Sequence, residues 1–148
     1  MIDGISITSL KQMSNEQGKV MHMLRNDSKN FTKFGEVYFS TIYQNKTKGW
    51  HRHKRMTSNF AIVSGKVKFV LYDPRPESKT KGKIEEIFLS QENYKLITVP
   101  PLIWSAIQCV SKETSIVAIF TDLPYDEKEI ERKSLVDNFI EYNWSLKN

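Results

Sequence analysis

Between residues 20 and 120 the chain is written as short runs of β-branched, aromatic and aliphatic residues separated by turn formers. This spacing restricts the fold more than any other feature. Val20–Leu24 reads as a short strand, and Glu36–Tyr43 as a longer one in which Val37, Phe39, Thr41 and Tyr43 share a face. Thr57–Val63 and Lys66–Tyr72 flank a Ser64-Gly65 turn, a hairpin signal. After a polar connection, Asp73–Lys83, come candidate strands at Ile84–Leu89, Lys95–Val99, Ile103–Val110 and Ser115–Phe120. Such a series predicts an all-β sandwich or closed barrel. Helical character is confined to Asp126–Asn138, where Asp126, Glu127 and Glu129 precede Arg132 and Lys133, as suits the two ends of a helix dipole. The expectation is one domain over residues 1–148, with a barrel core at about 17–125 and a short C-terminal helix within a tail at about 126–148.

Cys109 is the only cysteine, which excludes an intrachain disulfide framework; its apolar surroundings suit a buried strand in a reducing compartment, the cytoplasm. No apolar run reaches the length of a bilayer span, and the first residues lack the basic start and apolar core of a signal peptide. No membrane association is expected. The net charge of +5 is uneven: residues 1–83 carry 16 basic and 6 acidic side chains, residues 84–148 carry 6 and 11. Within the positive half, Lys46, Lys48, Arg52, Lys54 and Arg55 surround His51 and His53. That grouping suits the phosphates of a small anionic ligand, or forms a solvated basic loop. Nucleic acid is not an expected partner, because helix-turn-helix, zinc-finger and RNP-like patterns are all missing.

His51 and His53 are two of the three histidines, and they lie two positions apart. On a strand, i and i+2 side chains point to one face, so the imidazoles would share a wall of the barrel. From the residues alone, the pair is compatible with metal ligation, with acid–base chemistry, or with a hydrogen-bonded pair of no reactive role.

A longer order of residues carries a family resemblance. It runs from a basic residue through Gly49-Trp50-His51-Arg52-His53, a strand, the Ser64-Gly65 turn, and a strand ending Leu71-Tyr72-Asp73-Pro74-Arg75. Val99-Pro100-Pro101-Leu102-Ile103-Trp104 and Pro124-Tyr125-Asp126 follow. Over roughly residues 17 to 144 this order resembles the dTDP-4-dehydrorhamnose 3,5-epimerases and their shorter relatives. The resemblance implies a cupin double-stranded β-helix, or jelly roll, in a homodimer whose N-terminal strand helps to form the neighbouring subunit's site. It also implies an isomerase needing no metal or other cofactor, acting on a nucleotide-diphosphate 4-keto-6-deoxysugar in the synthesis of a surface polysaccharide.

Carried over by position, the resemblance makes His51 the general base, assisted by His53, with Lys48 in place of an arginine that holds the sugar nucleotide. Lys54 adds to the basic surroundings, Asp73 and Arg75 match an Asp-X-Arg, and Asp73 is a candidate to orient a histidine. His22 and Arg25 fall where the N-terminal strand meets the nucleotide, and Trp104 is an aromatic candidate for stacking on the base. Three positions depart from the pattern: Ile119 replaces the tyrosine acid, Ser58 the lysine that stabilises the enolate, and Ser105 a histidine. The expected general acid is therefore missing, with Tyr43, Tyr125 or a water as substitutes. The stretch Gly49–Lys54 also resembles the Gly-Phe-His-Ala-His-Lys of dTDP-sugar 3,4-ketoisomerases, in which paired histidines move a proton between adjacent carbons. The spacing from His53 to Ser58 and on to Gly65 matches a cupin metal motif, but serines occupy two of its ligand positions, so no metal is expected. A catalytically silent sugar-nucleotide binder is the alternative outside the enzymes.

Overall fold

The computed structural model describes residues 1–145 and is built of strands and loops; no helix occurs among the described residues. In chain order the strands are β1 (Ser6–Ser9), β2 (Gln12–Asn15), β3 (Gly18–Met21), β4 (Glu36–Ile42), β5 (Thr47–His53) and β6 (Ser58–Ser64). They continue as β7 (Val67–Tyr72), β8 (Ile84–Leu89), β9 (Lys95–Val99), β10 (Trp104–Cys109), β11 (Ser115–Thr121) and β12 (Ile130–Arg132). One antiparallel sheet has the order β1-β9-β6-β11-β4, the second β12-β5-β10-β7-β8, and β2-β3 forms a separate hairpin. The two five-stranded sheets pack face to face as a jelly roll. Phe60 of β6 meets Phe69 of β7 across the interior, with ring centroids 4.9 Å apart. Ile42, Ile62, Leu71, Ile97, Val117 and Ile119 fill the same core.

The expected β6–β7 hairpin is not formed. Both strands are buried along nearly their whole length because each is central in its own sheet, β6 between β9 and β11 and β7 between β8 and β10. Ser64-Gly65 is instead a corner that carries the chain from one sheet to the other. Gly65 sits at φ 82°, and a Cβ there would come within 2.4 Å of Ser115 Oγ, so the corner closes tightly on the start of β11.

The N-terminal residues belong to the core as well, which begins well before residue 17. Ile2 and Ile5 are buried, the Ile2 N–H donates to Glu85 Oε2 at 2.6 Å, and β1 pairs with β9 from Ser6↔Thr98 to Ser9↔Lys95. Their weak alternation hides a strand whose partner lies far along the chain.

The expected tail helix is replaced by strand β12 and an extended arm. The charges that suggested helix ends are used elsewhere: Asp126 closes a turn, its Oδ1 accepting from the Lys128 N–H at 3.0 Å, while Glu129 is buried. Strand β5 would otherwise be a sheet edge with unpaired backbone groups. The tail satisfies them through Ile130↔His53, Glu131↔Arg52 and Arg132↔His51, and through reciprocal bonds between Trp50 and Lys133 of 2.9 and 3.1 Å. Beyond β12, Leu135, Ile140, Tyr142 and Trp144 cover Trp50, Val70, Trp104 and Ala106 on the outer face of the second sheet. A helix would have left both the β5 edge and Trp50 open to water. Among the described residues no helix could cross a membrane.

Candidate active site

A cavity of about 240 Å³ opens between the sheets. His51 and His53 of β5 line one wall with Ser105 and Ile107 of β10; Tyr38 and Ser40 of β4, Ser58 and Phe60 of β6, and Ile119 of β11 line the other. Strand alternation accounts for the two imidazoles, but not for Lys48, which also lines the cavity. In an unbroken strand Lys48 would face outward, three positions from His51. The β5–β10 register shifts instead, from Ser105↔His51 to Ile107↔Lys48, so that Gly49 and Trp50 together oppose Ala106. This bulge changes the phase of β5, bringing Lys48 inside while Trp50 stays outside. The Lys48 ammonium then donates to Ser40 Oγ at 2.9 Å, linking the two sheets across the cavity.

The two imidazoles have different surroundings. Burial lowers the His51 pKa below its ordinary value, and the charges of Arg132, His53 and Lys48 act in the same direction. His51 is therefore held neutral. The Nδ1 of His53 lies 2.6 Å from Oε1 of Glu129, whose side chain is only 1 % exposed. The other carboxylate oxygen accepts the Arg55 and Met56 N–H groups at 2.6 and 3.0 Å. Burial alone would raise the Glu129 pKa, but the hydrogen bonds from Arg55, His53 and Met56 outweigh it and hold the group below its ordinary value. Glu129 is thus an ionised carboxylate behind His53.

Tyr38 supplies a phenol on the wall opposite the histidines. Burial, with a contribution from Glu36, raises its pKa, so it carries its proton at neutral pH and can donate it. Ser58, Ser105 and Ile119 all line the cavity, so the three departures from the epimerase pattern fall inside the site. Ile119 is the direct cross-strand partner of Tyr38, which places a phenol one strand over from the position where the resemblance expects one. Tyr38 and Glu129 escaped the sequence reading. The first lies on the less apolar face of its strand, and the second stands in an acidic run whose order suits a helix start.

The remaining candidates lie elsewhere. Trp104 is buried on the outer face of β10, beneath the tail and under the Arg52 guanidinium at 4.8 Å, so it does not stack in the cavity. Asp73 orients no histidine: its carboxylate accepts from Arg75 Nε at 2.8 Å, Ser78 Oγ at 2.6 Å and Thr80 Oγ1 at 2.7 Å. Arg75 is engaged by the same knot. Lys54 donates to the Lys128 carbonyl at 3.1 Å. Arg25 pairs with Asp27 at 2.7 Å on the surface, and His22 follows the β2–β3 hairpin with a buried Nε2 that has no partner among the described residues. Tyr43 and Tyr125 are exposed, and Tyr125 bonds to Glu127. Among the described residues no three His, Cys, Asp or Glu side chains converge as metal ligands.

A jelly roll with paired imidazoles, a lysine and a phenol around an inter-sheet cavity defines a cupin with a cavity lined by titratable side chains. The chain belongs to the FdtA family, described as WxcM-like, C-terminal, which it matches over residues 3–143. It is similar to a dTDP sugar isomerase from Desulfovibrio desulfuricans, with 38 % identity and a TM-score of 0.94 over 97 % of this chain and 92 % of that one. It is 26 % identical to the spore coat polysaccharide biosynthesis protein SpsL of Bacillus subtilis, over 98 % of this chain and 97 % of the relative. The fold is shared with a dTDP-4-dehydrorhamnose 3,5-epimerase from Elizabethkingia anophelis, at 19 % identity and a TM-score of 0.81 over 99 % and 84 % of the two chains.

Proposed function

We propose that the protein is a nucleotide-sugar epimerase acting on a nucleotide-linked 4-keto-6-deoxysugar in the synthesis of a surface polysaccharide. The observation that carries this reading is the facing of His51 and His53 by Tyr38 across one cavity. A carbon beside a keto group is acidified by that carbonyl, and an imidazole titrating near neutrality can remove its proton. Return of a proton from the opposite wall inverts the centre, and Tyr38 is the donor placed there. Lys48 is positioned for the developing enolate oxygen or for a phosphate of the nucleotide. The dTDP sugar isomerase and the spore coat polysaccharide protein among the relatives support the substrate class.

The two imidazoles on one wall favour a second reading, 3,4-ketoisomerisation, in which the proton leaves one carbon and returns to its neighbour on the same ring face. Both readings pass through one enediolate or enolate and differ in where the proton comes back. Incubation with a dTDP-4-keto-6-deoxyglucose in deuterated water, followed by NMR of the sugar, separates them. Epimerisation places deuterium on an inverted carbon, ketoisomerisation moves the carbonyl, and binding without incorporation identifies a silent binder and ends both readings. Tyr38→Phe should lower epimer formation by about 10²- to 10⁴-fold while leaving deuterium exchange with retention in place. Equal rates of inversion in Tyr38→Phe and the unaltered chain would remove Tyr38 from the mechanism.

The functional unit in this reading is a homodimer. Val37, Phe39 and Tyr43 expose one apolar face of the edge strand β4, and Phe34 lies beside it. The β2–β3 hairpin, strand-paired with neither five-stranded sheet, exposes Met13 and Val20 and leads into His22 and Arg25. A second copy covering these surfaces would bring those two residues towards a partner's cavity. Sedimentation equilibrium should give twice the chain mass; a monomer at micromolar concentration would contradict the assembly. The buried thiol of Cys109 suits a reducing compartment, and the cytoplasm is the proposed location.

A further inference from the structure

We propose that Glu129 is a positioning residue that fixes His53 in its Nδ1–H tautomer, so that His53, rather than His51, carries the substrate proton. This rests on the proton-transfer reading above and deepens it by assigning the base.

The assignment follows from how few arrangements the Glu129 carboxylate permits. Its Oε2 is already committed to two backbone donors, the N–H groups of Arg55 and Met56, and neither can rotate away. Its Oε1 therefore faces His53 Nδ1, at 2.6 Å. A carboxylate is only an acceptor, so the ring must donate from Nδ1. The lone pair is then on Nε2, which makes no hydrogen bond among the described residues, on a ring that lines the cavity. No carboxylate among the described residues bonds to His51 in this way. It lies among Lys48, Arg132 and His53, all of which oppose a positive charge on it.

The proton step balances within these groups. The C–H bond beside the keto group breaks towards His53 Nε2, its electron pair enters the enolate, and a new N–H bond forms. The resulting imidazolium lies against an ionised, desolvated carboxylate, which stabilises the charge at the moment it develops. When His53 itself returns the proton to carbon it is neutral again; when Tyr38 protonates the opposite face instead, solvent takes the Nε2 proton from the imidazolium and reprotonates the phenolate, and in both cases the Nδ1–H stays on Glu129.

Glu129→Gln tests this sharply, because the amide has the same shape and cannot satisfy the same partners. The Arg55 and Met56 N–H groups require an oxygen, which turns the Gln NH₂ towards His53. Nδ1 must then accept, the hydrogen moves to Nε2, and the lone pair leaves the cavity. Two measurements on the full chain read the outcome. Long-range ¹H–¹⁵N spectra of the ligand-free protein should show His53 with Nδ1 protonated, and E129Q should show it with Nε2 protonated. With dTDP-4-keto-6-deoxyglucose in deuterated water, E129Q should lose about 10⁴-fold in the exchange rate constant with KM nearly unchanged, as for other imidazoles placed in the wrong tautomer. His53→Asn should lose at least as much exchange as His51→Asn.

An Nε2–H tautomer in the unaltered protein overturns the proposal without any variant, whether or not E129Q folds. So does an exchange rate in E129Q within a few-fold of the parent, or a greater loss in His51→Asn than in His53→Asn. If the unaltered chain shows the Nδ1–H tautomer but no exchange with the sugar, the functional reading fails and the base assignment falls with it, while the tautomer assignment stands.

Discussion

Gly49→Ala is expected to destabilise the protein by about 2 to 6 kcal/mol, a large share of the roughly 5 to 15 kcal/mol that holds a domain of this kind together. Gly49 has φ 147°, a region that side chains rarely enter, and an added Cβ would sit 2.4 Å from Ala106 Cβ and 2.8 Å from its Cα. Neither neighbour can yield, because Ala106 is buried in β10 and Trp50 is sealed beneath the tail. The cost also falls on function. Gly49 is part of the bulge that turns Lys48 towards the cavity, so a chain that relaxes the bulge loses the lysine from the site. Urea unfolding should show the midpoint falling sharply in Gly49→Ala and recovering in part in the double variant Gly49→Ala, Ala106→Gly, which removes the nearer clash and leaves the backbone strain. A single variant as stable as the parent would show that the bulge is not fixed by this close approach.

Asp73→Ala should cost about 3 to 5 kcal/mol, because it removes one member of a buried charge pair and strands the other. Asp73 is 0 % exposed, and besides the Arg75, Ser78 and Thr80 side chains it takes the Arg75 N–H at 3.1 Å. Arg75 in turn donates to the carbonyl of Asp3, tying the loop after β7 to the N-terminal segment. The hydrogen bonds from Arg75 hold the Asp73 carboxyl far below the ordinary carboxylate range, against the opposing effect of burial, with Ser78 and Thr80 adding to the lowering. A folded-state pKa below the unfolded one gives a contribution that is complete above the unfolded value, near 4, and is lost as pH falls from there. The stability gap between parent and Asp73→Ala should therefore be full at pH 7 and narrow steadily below about pH 4. Urea unfolding at a series of pH values measures it, and a gap that is absent at pH 7 or constant down to pH 2 would rule out the ion-pair account.

Much of the fold was legible because β structure writes its period locally. Ile84–Leu89 and Lys95–Val99 are strands with the expected bounds, and Val37, Phe39 and Tyr43 do share a face, the exposed one. The i, i+2 spacing likewise suffices to put His51 and His53 on one wall of the cavity. The errors have a common cause. Ser64-Gly65 has the composition of a hairpin, yet its flanking strands pair with β9, β11, β8 and β10, partners that local sequence cannot name. Asp126–Asn138 has the charge order of a helix and good helix formers in its first half, but a segment this short gains little from local helix formation and yields to an unpaired sheet edge and an uncovered tryptophan.

The sequence by itself determined the class of fold, the shared face of the histidines and the basic character of their surroundings. Those properties depend on residue type and on a period of two, which neighbours along the chain suffice to set. The tertiary structure decided which imidazole is held by a carboxylate, which phenol faces it and that Lys48 points inward. Each of those depends on a contact between residues distant in sequence: Glu129 with His53, Tyr38 beside Ile119, and a bulge in β5 set opposite Ala106 of β10.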